Sequence, residues 1–335
     1  MFSALTNYSI LTNQIQMKCN ICFNESNNTP YILEEMMFGL RDTFEYFQCG
    51  NCSCIQIKDV PKNMDKYYPE NYYSFSGINK EIKKLGFFKQ LQYDYLTGNK
   101  KTILGAIASF KYHSDQYDWC NWLELKDKNL KILDVGCGNG ELLKQLYRLG
   151  FKNLVGADPY IDADIAYNEN LYIHKKSIFD LQERYDVIML HHSLEHMENQ
   201  SEVIDRLYQI LNENGKLFIR IPVVSEPLFQ KYREDLVNLD APRHFFIHSL
   251  KSINYLLDNS HFNILKTIFD SKAFDIIASE QYKQDIPLFD EKRSYVVNRK
   301  NTTFSSSQIR EFKNQMLDLN AQGEGSSVAL VIEKK

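Results

Sequence analysis

The chain has 335 residues, enough for one large domain with an appended module or for two domains. Apolar residues make up 44% of it and charged residues 24%, as in ordinary soluble globular proteins. With 39 basic and 43 acidic residues the net charge is −4, so no overall field attracts nucleic acid or an anionic membrane. No apolar run approaches about 18 residues and no secretory leader pattern is evident, so we expect no membrane span and a cytoplasmic location.

Five of the seven cysteines lie between positions 19 and 54, which suggests a metal site rather than disulfides. Two C-x2-C pairs supply the four thiolates that zinc prefers, and such a closed site would be structural. Cys54 is a fifth candidate that could replace Cys52, and unligated thiols are the alternative. Short strands are expected at 31–33 and 44–48, so residues 1–60 are predicted to form a zinc-ribbon-like module. The predicted ligands are Cys19, Cys22, Cys49 and Cys52.

Residues 61–125 are predicted to connect this module to the main domain. They begin with an aromatic, turn-rich stretch that contains Tyr72 and Tyr73, and from about residue 79 the apolar residues have helical spacing. The simpler interpretation is a helical connector that packs on the main domain. The alternative is that its aromatic residues form one wall of a substrate pocket, with Tyr72 and Tyr73 as substrate-binding residues.

A glycine-rich turn is the most informative stretch of the chain. The apolar run Ile132-Leu133 ends at Asp134, glycines follow at 136, 138 and 140, and residues 141–147 have helical spacing. This pattern predicts a buried strand that turns sharply into a helix. Because glycines let the backbone approach a ligand and a helix N-terminus offers free amide groups, the turn is typical of a site for a nucleoside-containing cofactor.

A second acid narrows the choice of cofactor. Asp158 ends the next apolar run, about 24 residues beyond Asp134, where a carboxylate can accept both ribose hydroxyls. Strand and helix patterns alternate through residue 221, which predicts a parallel sheet with ligands at its carboxyl edge. Asp134 would repel a pyrophosphate but can meet the cationic amino-acid portion of S-adenosylmethionine (SAM). Charge therefore favours SAM over a dinucleotide.

Four motifs occur in order between about residues 126 and 225: Asp134-Val-Gly-Cys-Gly-Asn-Gly, Asp158, Asp186-Val-Ile with Leu194-Glu-His, and Asn214-Gly-Lys-Leu. This ordered set resembles that of class I SAM-dependent methyltransferases. The resemblance implies an α/β fold in which residues 126–335 form a Rossmann-like, seven-stranded sheet. Its last two strands, Phe262–Ile268 and the segment from Ser327, would be an antiparallel pair.

The same resemblance implies a set of site residues. Asp158 would hold the ribose, Ser177 and Ile178 would flank the adenine, and His191 and His192 would face the sulfonium end. The full set of cofactor-binding residues that it implies is Asp134, Gly136, Cys137, Gly138, Asp158, Pro159, Ser177, Ile178 and His191.

Methylation of a hydroxyl also requires a base, and histidine suits that task near neutral pH. The segment Asp240–Ser249 is expected to lie over the mouth of the site, within a lid inserted at about 225–250. Its Arg243-His244 pair resembles a segment of sugar methyltransferases with an N-terminal cysteine module, in which a histidine there is the proposed base. His244 is therefore the first candidate for the base, with His192 and then His196 as the other candidates, and Arg243 could bind a substrate phosphate.

Structural roles are the alternative for these residues. Arg243 and His244 would then only anchor the lid, and Glu195-His196 would cap or tether the helix that follows them.

The sequence as a whole predicts a SAM-dependent methyltransferase with a structural zinc ion. The expected acceptor is a sugar, nucleotide-linked or in a growing surface glycan, methylated on oxygen as in polysaccharide biosynthesis. The first alternative is a small lipid or quinone metabolite, and the second is a methyltransferase-like binding protein recruited through the zinc module. We expect no nucleic-acid partner, and self-association is compatible with the sequence.

Overall fold

Two β-sheets organise the computed structural model of the chain, which describes residues 17–69, 82, 85–96, 102–111, 118–258 and 261–335. The predictions for Tyr72 and Tyr73 lie outside the described residues. The strands are β1 (Thr29–Glu34), β2 (Thr43–Gln48), β3 (Ile55–Ile57), β4 (Lys131–Val135), β5 (Asn153–Ala157), β6 (Ile165–Asn168), β7 (Leu171–His174), β8 (Tyr185–His191), β9 (Leu211–Pro222), β10 (Phe246–Ile247), β11 (Phe262–Phe269) and β12 (Ser327–Lys334). The α-helices are α1 (Phe87–Leu96), α2 (Ile103–Lys111), α3 (Asp118–Trp122), α4 (Glu141–Arg148), α5 (Gln200–Ile210), α6 (Glu226–Tyr232), α7 (Leu250–Asp258), α8 (Ala273–Tyr282) and α9 (Ser306–Gln322).

The larger sheet has eight strands in the order β11-β12-β9-β8-β4-β5-β7-β6. Strands β4, β5, β7, β8 and β9 run parallel, whereas β12 is antiparallel to both β9 and β11. The predicted α/β fold, its seven strands and its antiparallel closing pair are thus confirmed. The eighth strand, β6, pairs antiparallel with β7 at the edge. The sequence does not predict it, because four residues are too few to show a period.

The parallel central strands are largely buried on both faces. Nearly every residue of β4 and β8 is buried, as expected for strands covered on both faces by helices. The carboxyl ends of β4, β5 and β8 lie side by side, and ligands bind at this edge in sheets of this kind.

The smaller sheet joins the cysteine-rich segment to the main domain. Its strand order is β1-β2-β3-β10, with all neighbours antiparallel. The first two strands agree with the prediction, but β10 comes from the segment that was expected to be a lid. Cysteine side chains of residues 19–54 and apolar residues of the large sheet share one buried cluster. Among the described residues, the sheet of the cysteine-rich segment is completed by Phe246 and Ile247 from the far side of the chain.

The segment expected to be a lid is largely buried. Residues 226–239 form α6 and two 3-10 helices (Arg233–Asp235 and Val237–Leu239), although their sequence lacks a clear period. His248 forms a parallel bridge with Val223 at the end of β9. Residues 240–248 therefore form a layer between the two sheets rather than a loop over the site.

Arg243 lies at the centre of this layer and its side chain is 0% exposed. Its Nη2 donates to Glu35 at 2.8 Å and to Asp240 at 2.6 Å, and its Nη1 donates to the Tyr67 carbonyl at 3.3 Å. No face of the guanidinium is open to a substrate. The structure thus contradicts the prediction that Arg243 binds a substrate phosphate, and agrees with the alternative that it anchors the segment.

The connector between the sheets contains three short helices among its described residues. Tyr93 of α1 and Trp119 of α3 are buried against the large sheet, which favours the packing role over the pocket wall. Among the helices that the structure describes, none is long and apolar enough to cross a membrane.

The ion network around Arg243 generates a stability prediction. Glu35→Ala leaves Arg243 with one carboxylate fewer and removes the acceptor of the Phe38 and Leu40 amides. We expect the free energy of unfolding, measured by urea denaturation, to fall by about 3 kcal/mol, because a buried charge loses a partner. The control is Glu34→Ala, which removes an exposed partner of Arg41 and should cost less than about 1 kcal/mol. Equal losses in the two variants would contradict the role of the network.

Candidate active site

The glycine turn after β4 has the left-handed backbone expected from its composition. Gly136, Gly138 and Gly140 have φ values of 73°, 52° and 73°. A Cβ added to Gly136 would lie 2.5 Å from the Cβ of Ser193, whose hydroxyl donates to the Val135 carbonyl at 2.8 Å. Glycine at 136 therefore lets the turn after β4 pack directly against the loop after β8.

Two acidic side chains lie at the carboxyl ends of the adjacent strands β4 and β5. Asp158 accepts hydrogen bonds from the backbone amides of Gly138 and Tyr160, both at 2.9 Å, and these bonds hold its carboxylate beside the turn. Burial, together with the nearby Asp158 carboxylate, raises the pKa of Asp134 to about 8. Such an acid ionises more readily when a cation lies beside it. The pair suits a ligand with a cationic group and a ribose.

The residues predicted to flank an adenine lie around a 3-10 helix at Ile178–Asp180. The hydroxyl of Ser177 accepts from the Phe179 amide at 3.3 Å, and the Asp180 carboxylate accepts from the Ser177 amide at 3.1 Å. This capping box fixes the loop after β7, with Ile178 buried behind it.

Two other predicted cofactor-binding residues have contrasting surroundings. Pro159 is exposed directly after Asp158. The Cys137 thiol points beneath the turn, since a Cβ added to Gly156 would lie 2.5 Å from its sulfur. Burial raises the pKa of the Cys137 thiol well above its usual value, so the thiol stays protonated at neutral pH.

His191 and His192 follow each other at the end of β8 but face different surroundings. The ring of His191 lies near Trp119 and Phe218, at centroid distances of 5.1 and 4.9 Å. Its Nε2 is buried without a hydrogen-bond partner among the described residues. Burial lowers the pKa of His191 well below its usual value, so the ring is neutral at neutral pH. His192 is 48% exposed, and its Nδ1 lies 3.4 Å from Glu195.

A further cluster contains Glu195, His196 and His244. One nitrogen of each imidazole and one carboxylate oxygen lie within 4.8 Å of one another. The Nδ1 of His196 is 2.7 Å from the Arg243 carbonyl, and that of His244 is 2.7 Å from the Asn238 carbonyl. Because a carbonyl only accepts, each Nδ1 carries a hydrogen, and in the neutral ring each Nε2 then offers a lone pair.

Glu195 is the site residue whose role the sequence does not predict. Its side chain is 0% exposed, and neither carboxylate oxygen has a hydrogen-bond partner among the described residues. It does not cap the following helix, whose N-cap residue is Asn199. His196 does act as a tether, but to the segment that contains Arg243 rather than to the helix. The only signal for a site role is the Leu194-Glu-His motif itself.

The four predicted zinc ligands form a single cluster. The sulfurs of Cys19 and Cys52 are 3.6 Å apart, those of Cys22 and Cys49 are 3.5 Å apart, and all four lie within 4.8 Å of one another. These distances are too long for disulfides and close to the separation of about 3.8 Å that a tetrahedral site with 2.3 Å Zn–S bonds requires. The donor set therefore fits zinc.

Hydrogen bonds from neighbouring groups reach two of the four sulfurs, whereas the fifth cysteine, Cys54, lies apart from them. Gln56 Nε2 donates to the Cys19 sulfur at 3.1 Å, and the amides of Asn51 and Cys52 donate to the Cys49 sulfur at 3.4 Å. The Cys54 sulfur lies outside the cluster and points to the Ile55 carbonyl at 3.7 Å. Of the two candidates for the fourth sulfur, the structure therefore places Cys52 inside the cluster and Cys54 outside it.

Comparisons with known proteins agree with this geometry. Residues 113–267 match the sequence profile of a methyltransferase domain. The chain is 36% identical over 109 residues to the mitochondrial ubiquinone biosynthesis O-methyltransferase of Rattus norvegicus, a match that covers 27% of this chain and 30% of that protein. It is 31% identical over 121 residues to the tRNA U34 carboxymethyltransferase of Helicobacter pylori (strain Shi470), over 32% and 46% of the two chains. The chain thus spans less than half the length of either relative.

One solved structure with a similar fold is a SAM-dependent methyltransferase from Archaeoglobus fulgidus. It is 18% identical, has a TM-score of 0.40, and the match covers 69% of this chain and 99% of that one.

The sheet order, the glycine turn and the profile match define the class of protein. Residues 113–267 match a methyltransferase domain, and the fold is of the class I SAM-dependent methyltransferase type. The chain also has a cysteine cluster beside the small sheet, and β10, which follows the large sheet's β9 in the chain, is the fourth strand of that small sheet.

The raised pKa of Asp134 generates a prediction about pH. Because the folded-state pKa is about 8, Asp134 is mostly protonated at neutral pH in the free protein, and a bound ammonium group favours its ionised form. Affinity for S-adenosylhomocysteine should therefore rise between about pH 6 and about pH 7.5, where the ligand's amino group stays protonated. Calorimetry at several pH values should show this slope in the wild type and a weaker, flatter profile in Asp134→Asn. The same slope in both proteins would exclude Asp134 as its source.

Proposed function

We propose that this chain transfers a methyl group from SAM to a hydroxyl oxygen of a small-molecule acceptor. The observation that carries the proposal is the pair of acids at adjacent strand ends, with the left-handed glycine turn between them. Asp134 suits the cationic amino-acid portion of the cofactor and Asp158 suits its ribose. The Nε2 of His191 at the same sheet edge is buried and has no partner in the part of the chain that the structure describes, which supports a ligand there.

When bound, SAM supplies a sulfonium methyl group whose transfer to oxygen leaves S-adenosylhomocysteine, while the acceptor loses its proton. The chain's own residues would bind the cofactor through Asp134, Asp158 and the glycine turn. Ser177 and Ile178 are proposed at the adenine. Their task is to hold the methyl group in line with the acceptor oxygen and to exclude water.

His244 is proposed as the residue that activates the acceptor hydroxyl. Its Nδ1 is held by the Asn238 carbonyl, which orients the ring. His192 is the second candidate, but it is half-exposed and already lies beside Glu195. A fixed orientation favours His244, because a catalytic group must be positioned before the reaction begins.

The comparisons favour a small metabolite over a sugar as the acceptor. One relative is named for O-methylation in ubiquinone biosynthesis and another for tRNA carboxymethylation. The prediction of a sugar acceptor depends only on the flanking cysteine segment and the Arg243-His244 pair. Because Arg243 is buried, it is not available to bind the phosphate of a nucleotide sugar. A hydroxylated aromatic or quinone-like metabolite is therefore our proposed acceptor class.

Cofactor binding tests the central proposal. We expect calorimetry to show S-adenosylhomocysteine binding to the wild type in the micromolar range. Asp158→Ala should weaken it by at least about tenfold, since the ribose hydroxyls lose a charged acceptor. Asp164→Asn is the control, because Asp164 is an exposed acid that contacts Tyr172 and Lys175 instead. Absence of binding to the wild type would contradict the proposal.

An assay of methyl transfer from methyl-labelled SAM then distinguishes the acceptor classes. One panel of candidate acceptors contains hydroxylated aromatic compounds and the other contains nucleotide sugars. Activity on the first panel supports the proposed acceptor, and activity confined to the second would restore the sugar prediction. Cofactor binding without transfer to either panel would favour the methyltransferase-like binding protein.

We also propose that the cysteine cluster holds a structural zinc ion. Its four sulfurs leave no open position for chemistry, so its task is to stabilise a small sheet. Because β10 belongs to that sheet, zinc would also stabilise the segment that carries His244.

Metal analysis of the purified protein tests this proposal. We expect about one equivalent of zinc in the wild type and in Cys54→Ser, and a loss of zinc in Cys52→Ser. The two variants differ only in whether the sulfur lies inside the cluster. Retention of zinc in Cys52→Ser with loss in Cys54→Ser would move the fourth ligand to Cys54.

A further inference from the structure

We propose that Glu195, His196 and His244 form a second metal site, for a divalent first-row transition-metal ion, at the edge of the proposed SAM pocket. Two imidazoles and one carboxylate are a donor set that binds such ions and leaves coordination positions open. The three donor atoms lie within 4.8 Å of one another. With ligand distances of about 2.1 Å, donors bound to one ion lie about 3 to 4 Å apart, so small side-chain adjustments complete the site.

The two histidines are prepared to act as ligands. Each binds a backbone carbonyl through Nδ1 at 2.7 Å, the Arg243 carbonyl for His196 and the Asn238 carbonyl for His244. A hydrogen bond of this kind fixes the ring and its tautomer and leaves the Nε2 lone pair available, as is usual for histidines that ligate metals.

Glu195 supplies the observation that points to a cation. Its carboxylate is completely buried, yet neither oxygen has a hydrogen-bond partner among the described residues. A buried, unpaired carboxylate is costly unless a positive charge lies beside it. Besides the two proposed histidine ligands, the group beside it in the structure is His192, whose Nδ1 is 3.4 Å away and which carries a positive charge only when protonated. A divalent ion would neutralise Glu195 at any pH at which the histidines are neutral.

The backbone holds the three ligands in place from both sides. Glu195 and His196 belong to the 3-10 helix directly after β8, and the Glu195 carbonyl accepts from the Phe245 amide at 2.8 Å. The His244 carbonyl accepts from the Tyr46 hydroxyl at 2.8 Å. Ligands on such fixed backbone keep their relative positions without the ion, which favours binding.

The inference rests on the proposed function and specifies it further. An acceptor hydroxyl bound at an open position of the ion would lose its proton more readily, because the positive charge stabilises the alkoxide or phenolate. The proton would pass to the half-exposed imidazole of His192, the second candidate base, since the Nε2 of His244 is then bound to the ion. His244 would then act on the acceptor as a ligand of the ion. The site would favour acceptors that offer the ion a hydroxyl and a neighbouring oxygen.

Manganese(II) is the probe, because thiolate sites bind this harder ion weakly and the zinc cluster stays occupied. Any zinc beyond the one equivalent held by the cysteine cluster is first removed, so that it does not occupy the second site. Titration of this protein, followed by the electron paramagnetic resonance signal of free Mn²⁺, should then show one site in the micromolar range. Glu195→Gln keeps the shape of the side chain but removes its charge, and His244→Asn removes one ligand. Each should weaken Mn²⁺ binding by more than about tenfold. His261→Asn, which removes an imidazole remote from the cluster, is the control and should leave it unchanged.

Binding of S-adenosylhomocysteine, measured in the same samples, shows whether each variant is folded. Absence of Mn²⁺ binding to the wild type, or equal binding by wild type, Glu195→Gln and His244→Asn, would overturn the metal site. A wild type that binds S-adenosylhomocysteine but not Mn²⁺ loses this inference and keeps the proposed function. A wild type that binds Mn²⁺ but not S-adenosylhomocysteine keeps the metal site and loses the proposed function.

Discussion

The buried guanidinium of Arg243 is the interaction on which the rest of the structure depends. It joins Asp240 on its own segment to Glu35 on the cysteine-rich segment, with all three side chains nearly or fully excluded from water. Removal of a charge from water is costly unless its partners are correctly placed, so the network fixes the position of residues 240–248. That segment carries His244 and then adds β10 to the small sheet.

This arrangement gives the cysteine cluster a direct structural connection to the site. The small sheet pairs β3 with β10, and β10 begins two residues after His244. On the other side, the 3-10 helix that contains Glu195 and His196 follows β8 of the large sheet. The cluster of three proposed ligands therefore lies where the two sheets meet, and a change in either sheet would move one ligand relative to the others.

The features that the sequence predicts correctly are local ones. The turn after β4, the acid after β5 and the order of the strands follow from contiguous patterns, and the observed φ values and sheet order agree with them. The least accurate prediction concerns residues 225–250, which the sequence predicts to be a lid over the site. Their apolar residues have no clear period because the segment packs between two sheets and exposes no regular face.

The sequence by itself predicts SAM as the cofactor and two cysteine pairs as candidate metal ligands, because the residues concerned lie within short stretches whose spacing favours a particular backbone. Only the tertiary structure decided that Arg243 is a buried anchor and that Glu195 faces two histidines. Those facts depend on pairings between distant parts of the chain, such as Arg243 with Glu35 and Phe246 with Gln56. No local pattern encodes such pairings, because they are set by packing and by the burial of charge.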